Sequence, residues 1–167
     1  RIGLEPSQVT ARHVAFVLAP RLNSVGRLGS SMPALRLLIE RDSGRAAALA
    51  EQLEQINRQR RAHLERCLSL AQREMQQRPP EKRVLFTASE AYPPGIVGLV
   101  AARLLDQSGL PAVAVSLQGK KAHGSVRSTD GFNASQALDS CSHLLTKHGG
   151  HALAAGFTCP TSAIDKL

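Results

Sequence analysis

A run of 34 residues without proline, from Gly44 to Gln77, constrains this chain more than any other feature. Ala, Leu, Glu, Gln and Arg dominate it, and these residues lose little on entering a helix. Leu49, Leu53, Ile56, Leu64, Cys67 and Ala71 fall near a heptad stripe that Arg60 interrupts. The pattern predicts a single helix about 50 Å long. So narrow a stripe on so long a helix fits a connector between two lobes better than part of a compact core, with a coiled-coil dimer as the alternative. Asp42 or Ser43 can cap its start, and Arg78-Pro79-Pro80 stops it.

Before this helix, residues 7–18 read as a short helix and Ala19 to Ser30 as a turn-rich segment holding proline, asparagine and two glycines. A second helix is expected over Met32 to Glu40, with Pro33 in its first turn, where a missing N–H costs nothing. After Pro80 the character changes. Strands are predicted at Val84–Thr87, Ala112–Leu117, Ala122–Val126 and Leu153–Thr158, and helices at Gly95–Gln107 and Asn133–Lys147. The nearly all-apolar Ala112–Leu117 strand implies burial on both faces. The order β-α-β-β-α-β, with N-terminal helices and a long helix before it, describes an α/β fold with a compact mixed-sheet domain. No internal repeat or low-complexity tract interrupts it.

A chain of 167 residues can bury a real core as one domain or a domain with an appendage. Beginning at Arg1 and ending abruptly at Leu167, it reads as a piece of something larger. No apolar stretch is long enough to span a bilayer, and no basic-then-apolar leader opens it, so no membrane partner is expected. Three widely spaced cysteines (Cys67, Cys141, Cys159) argue against a disulfide framework or a paired-cysteine zinc site, and suit a reducing cytoplasm. The net charge of +8 is uneven: residues 1–83 carry 15 Lys+Arg against 8 Asp+Glu, residues 84–167 only 6 against 5. Arginines outnumber lysines 16 to 5, and the planar guanidinium suits two-pronged contact with phosphate. A nucleic-acid partner and a solvated basic helix face both fit this bias. With Phe16, Phe86, Phe132, Phe157 and Tyr92 as the only aromatics, a base-stacking platform of the OB or RRM type is disfavoured.

Two segments stand out chemically. GSVRS, Gly124 to Ser128, ends a predicted strand. Alternation puts Ser125 and Arg127 on one side of the backbone, where both can grip one anion. A surface arginine with hydroxyls closing a turn is the plainer alternative. GGHALAAG, Gly149 to Gly156, follows a predicted helix end. One glycine there is an ordinary terminator, but two, then His151, two alanines and a further glycine exceed that need and imply close backbone approach to a ligand or another element. His151 is able to donate to a phosphate or base, act as an acid or base, or bind metal. Metal is the weakest option because no ligand lies at suitable spacing. Pro94-Gly95-Ile96-Val97-Gly98 opens a helix whose free N–H groups form a possible anion site, although close packing at Gly98 explains it as well. Arg21, Asn23 and Arg27 lie in a glycine-bearing loop, placed either to reach substrate or simply to join helices. Clustered aspartates, a nucleophile elbow and a P-loop are all missing.

Taken in order, FVLAPRLNSVGRLG (Phe16 to Gly29), the long helix, PPGIVGLVAARL (Pro93 to Leu104), GSVRS and GGHALAAG resemble the C-terminal part of the DHH phosphoesterase family, in its single-strand-specific exonuclease branch. The resemblance covers nearly the whole chain. It implies three parts: residues 1–43 closing the catalytic lobe, residues 44–80 as connector, and residues 81–167 as the DHH-associated substrate-binding domain. It also implies a bacterial cytoplasmic exonuclease that removes nucleotides from the 5′ end of single-stranded DNA. Two Mn2+ or Mg2+ ions would sit in a lobe absent here, and an OB-type domain is also absent. By the same resemblance Ser125, Arg127 and Ser128 grip the 5′ or nearest phosphate. Gly149, Gly150 and His151 line the cleft against the terminal nucleotide, and Arg27 with Asn23 lies near the scissile phosphate. This segment alone would not hydrolyse DNA. Many relatives carry histidine, or tryptophan-histidine, before the GIVG-like helix start. Here Tyr92-Pro93-Pro94 stands instead, leaving Tyr92 to pack or stack. Rival readings are a DHH phosphoesterase acting on short oligoribonucleotides or cyclic dinucleotides, and a non-enzymatic module that binds protein through its basic helix.

Overall fold

The computed structural model describes residues 3–77 and 83–167; the Arg78-Pro79-Pro80 stop lies outside them. The chain divides into two compact units, Arg1–Ala62 and His63–Leu167, and the division falls inside the long helix.

In the first unit, a 3-10 turn at Pro6–Gln8 precedes a short helix α1 (Ala11–His13), a π-helical stretch Val14–Leu18, α2 (Ala19–Leu28) and α3 (Met32–Ile39). The turn-rich reading of Ala19–Ser30 is therefore corrected to a helix. Pro20 falls at its start, directly after the wider π turn in which the Ala19 N–H reaches back to Val14 O. A missing N–H is tolerated there. Burial then outweighs the poor propensity of Asn23 and Gly26, because Val25 packs with Ala34 and Leu53, with Leu22, Leu37 and Ile56 against them. Helix 7–18 likewise gives way to a 3-10 turn and, from Ala11, a helical run that Thr10 and His13 cap reciprocally.

The long helix α4 spans Ser43–Gln77, 35 residues. Asp42 begins it, its Oδ1 accepting from the Arg45 N–H at 2.8 Å. Leu53, Leu64, Cys67, Leu68 and Ala71 are buried along one stripe, with Asn57 among them. Arg60 does not break that stripe outright: its Nη2 donates to Asn57 Oδ1 at 3.1 Å. In the same helix Glu54 accepts from Arg21 Nε at 2.6 Å, tying α2 to α4.

The second unit holds a five-stranded mixed sheet in the order β1-β2-β3-β5-β4. Its strands are β1 (Leu85–Ser89), β2 (Ala112–Gln118), β3 (Lys121–Arg127), β4 (Lys147–His151) and β5 (Ala154–Pro160), with α5 (Val97–Ser108) after β1 and α6 (Ala134–Ser140) after β3. β1 and β2 are parallel, joined through α5; every other pairing is antiparallel. The α/β mixed-sheet class is as the sequence predicts, but the order is β-α-β-β-α-β-β. The expected helix Asn133–Lys147 stops at Ser140, a 3-10 turn follows at Ser142–Leu144, and Lys147–His151 is a strand. Ser140, Ser142 and Thr146 are weak helix formers, and pairing with β5 satisfies the backbone of the glycine pair.

Each sheet face packs differently. Ala122, Val126, Ala155, Phe157 and Cys159 turn toward α6 and form one core with Leu138 and Ala134. Gly124 is obligatory on that face, since a Cβ there would fall 2.1 Å from the Phe157 ring. On the other face, α5 covers β2 and β3 with Val97, Val100, Ala101 and Leu104 buried. Burial pushes the thiols of Cys67 and Cys159 above their ordinary value of 9.0 and, as its largest cause, the phenol of Tyr92 above 10.0. The folded state therefore holds these protons more tightly than the unfolded chain. The associated stability is complete below about pH 9 and is lost as pH climbs through the raised values. Melting by calorimetry at about pH 8 and about pH 10.5 is expected to give a lower Tm at the alkaline value; an unchanged Tm would contradict this account.

Candidate phosphate-binding site

Strand β3 alternates along its length. Ala122, Gly124 and Val126 face the α6 core, while Lys121, His123, Ser125 and Arg127 face the side that α5 covers in part. Antiparallel register places residues directly opposite on the same face. Arg127 is therefore in a row with Ala154 and His151, Ser125 with Gly156 and Gly149, and His123 with Thr158 and Lys147. Successive rows are about 7 Å apart. The sheet residues of this face include three small ones (Ala154, Gly156, Gly149) flanked by Arg127, His123, Lys147 and His151, and no carboxylate.

Arg127 and Ser125 come together as the sequence predicts. Arg127 Nη1 donates to Ser125 Oγ at 2.9 Å and to the Val126 carbonyl at 2.8 Å, which fixes the plane of the guanidinium. Because Ser125 Oγ accepts from Arg127, its own hydroxyl hydrogen is directed elsewhere, and both groups present donors. Gly98, in the first turn of α5, closes over them. A Cβ at that position would stand 3.1 Å from Arg127 Nη2 and 3.3 Å from Ser125 Oγ. Close packing at Gly98 and the Ser125–Arg127 pair are thus one feature, in which a helix start, a hydroxyl and a guanidinium meet.

Ser128 does something else. It is buried, its Oγ donates to the Phe132 carbonyl at 2.6 Å, and its N–H donates to Leu153 O. These bonds close the 129–132 turn and dock it on the β4–β5 hairpin, so the hydroxyl has a structural partner.

GGHALAAG forms that hairpin, with Ala152-Leu153 as its turn, rather than a helix terminus. Its first two glycines differ in kind. Gly150 has φ +148°, and a Cβ would sit 2.4 Å from Ala155 Cα, so glycine is required by the fold. Gly149 has an ordinary φ, and a Cβ would meet nothing within 4 Å. Its smallness leaves open space above the sheet. His151 is exposed at the end of the strand. His148 faces the opposite side, with Nε2 3.0 Å from Asp139 Oδ1.

Asn23 and Arg27 lie one turn apart on α2 in the first unit, Asn23 exposed and Arg27 half-buried. Arg21 serves structure, bonding Glu54 and the Val17 carbonyl. Tyr92 is buried, 1 % exposed, with its hydroxyl 2.8 Å from Thr87 Oγ1; it packs and does not stack. Sequence reading missed His123 and Lys147. Period-two alternation from Ser125 would have found His123, whereas Lys147 becomes legible only once Lys147–His151 is known to be a strand. Among the described residues, no three His, Cys, Asp or Glu side chains converge as a metal-ligand set.

Comparison with known proteins bears on this arrangement. Residues 81–167 match the DHHA1 domain model. The single-stranded-DNA-specific exonuclease RecJ of Bacillus subtilis is 36% identical over 167 residues, 99% of this chain and 21% of that protein. The RecJ of Thermus thermophilus is 39% identical over 147 residues, 88% of this chain and 21% of its own length. A crystal structure of Thermus thermophilus RecJ in complex with Mg2+ superposes with a TM-score of 0.87 at 34% identity, covering 99% of this chain and 25% of that one. A manganese-bound exonuclease RecJ superposes at 0.79, covering 94% and 39%. The chain thus spans about a fifth of the length of the first two relatives.

Proposed function

This chain belongs to the DHHA1 domain family, and from that starting point we propose that it is the substrate-holding part of a RecJ-like exonuclease that degrades single-stranded DNA from the 5′ end. One observation carries the reading: Ser125 and Arg127 are hydrogen-bonded to each other directly beneath Gly98 at the start of α5. A guanidinium and a hydroxyl lie together there beside a helix start, and these are the groups that bind a terminal phosphate monoester. The Gly149–Gly156–Ala154 floor, open above Gly149, then takes the terminal nucleotide, with His151 at its edge.

The Mg2+ and Mn2+ of the two RecJ structures are proposed to be held, in the parent enzyme, by its catalytic lobe. The role of this chain is to bind and orient the strand, so that hydrolysis elsewhere in the enzyme meets a correctly placed phosphodiester. Asn23 and Arg27 are proposed to serve the scissile phosphate from the first unit. Val14, Phe16, Leu38 and Ile39 are exposed in that unit, which supports reading residues 1–43 as part of a lobe completed by other segments. The bacterial cytoplasm is the proposed setting.

Fluorescence anisotropy with a short single strand, carrying either a 5′-phosphate or a 5′-hydroxyl, tests the proposal. The 167-residue chain is expected to bind the phosphorylated strand about tenfold more tightly, and salt is expected to weaken both. Equal affinity for the two ends would overturn the terminal-phosphate reading.

A further inference from the structure

We propose that Tyr92, Thr87 and Glu74 form a positioning set that holds the start of α5 against Ser125 and Arg127 and so governs how well the cleft grips a phosphate. The inference rests on the phosphate reading above. Thr87 Oγ1 donates to Glu74 Oε2 at 2.7 Å, and Tyr92 Oη lies 2.8 Å from the same Thr87 oxygen. Thr87 has one hydroxyl hydrogen and gives it to the carboxylate. Tyr92 is therefore the donor in the second bond. The order is phenol, hydroxyl, carboxylate, running from the loop before α5, through β1, to the last turns of α4.

Thr87 and Tyr92 are 0 % and 1 % exposed, while Glu74 is exposed. The same loop is held a second time: Ser116 Oγ donates to the Tyr92 carbonyl at 2.5 Å. From there the chain is bonded continuously into the site. The Ile96 N–H donates to Pro93 O, and the N–H groups of Leu99 and Val100 donate to Ile96 O. Gly98 sits inside that turn, where a Cβ would stand 3.1 Å from Arg127 Nη2 and 3.3 Å from Ser125 Oγ. The Tyr92-Pro93-Pro94 segment is thus a tether, and a loop with two prolines transmits its anchor stiffly. Losing the anchor would let the first turn of α5 drift from the guanidinium, and phosphate binding is sensitive to shifts of that kind.

Three variants of the full chain test this: Tyr92→Phe, Thr87→Val, and the two combined. Thr87→Val strands the buried phenol and is expected to lower Tm, whereas the double variant removes both polar partners and is expected to regain most of it. A purely structural role predicts that the preference for a 5′-phosphate over a 5′-hydroxyl strand returns together with Tm. The positioning role predicts that it does not, staying about fivefold to tenfold below wild type in the double variant when measured well below each Tm. Recovery of the preference with Tm would sink the proposal. Hydrogen exchange gives a readout independent of DNA. The amides of Leu99 and Val100 are expected to exchange about tenfold faster in the double variant, with the β2 amides unchanged. Wild-type exchange rates there would equally sink the proposal. A wild-type chain with no end preference would instead defeat the phosphate reading, and the exchange data would then decide the tether alone.

Discussion

Replacing Arg127 with alanine is expected to weaken binding of a 5′-phosphorylated single strand about a hundredfold, because a charge-assisted, two-pronged contact is worth about 2–3 kcal/mol. The 5′-hydroxyl strand should lose far less, so the end preference collapses. Arg127 is only partly buried and its Nη1 bonds go to Ser125 Oγ and the neighbouring Val126 carbonyl, so the fold should survive the change. Arg127→Lys is the informative companion. It keeps the charge but not the planar fork, and a lysine ammonium cannot hold Ser125, Val126 and a phosphate in one plane. Most of the preference is expected to be lost in Arg127→Lys as well. Full retention would mean that charge alone matters, and that the fixed guanidinium plane beneath Gly98 has no role. Anisotropy titrations of the three proteins at one salt concentration make the comparison.

The second large effect is on stability and separates two adjacent glycines. Gly150→Ala forces an L side chain to φ +148° and drives its Cβ to 2.4 Å from Ala155 Cα and 2.5 Å from Ala154 O. Those atoms are backbone and cannot turn aside. Strain and overpacking together are expected to cost about 3 kcal/mol or more, lowering Tm by about 10 °C for a chain of this size. Gly149→Ala meets no atom within 4 Å and no unusual φ, so its stability should change by less than about 0.5 kcal/mol. If the terminal nucleotide lies on the Gly149–Gly156 floor, that quiet substitution nonetheless weakens DNA binding. Calorimetry and anisotropy on the pair give opposite signatures. A Gly149→Ala protein that binds normally would remove the floor from the site.

Legibility from sequence tracked how local the determining physics is. The long helix was readable because thirty-four residues of favourable propensity need no partner to declare themselves, and Asp42 supplies its cap in the same stretch. Ser125 and Arg127 were readable because alternation within one strand is a two-residue rule. β4 was not. Lys147–His151 has glycines where a strand usually has branched residues, and it is a strand only because β5, a few residues on, offers it hydrogen bonds. Ala19–Leu28 was misjudged for the opposite reason: proline and glycine argue locally for turns, but Val25 gains enough by packing on Ala34 and Leu53 to keep the helix. Ser128 looked equivalent to Ser125 in the string GSVRS, and only the fold reveals that its hydroxyl closes a turn. The Tyr92–Thr87–Glu74 chain was beyond any sequence rule, since its members come from a loop, a strand and a distant helix.

The position of β4 at the rim of the sheet has a consequence for how this protein behaves in crowded solution. A rim strand offers an unpaired row of N–H and C=O groups on which a second molecule can template. Here the strand is only five residues long, carries Lys147 at one end and His151 at the other, and has two adjacent glycines inside it, Gly149 and Gly150. A copy approaching edge to edge would meet a short border that begins with Lys147 and has almost no apolar side chain to zip against. The glycines that keep this surface low thus also leave little side chain for sheet-to-sheet self-association.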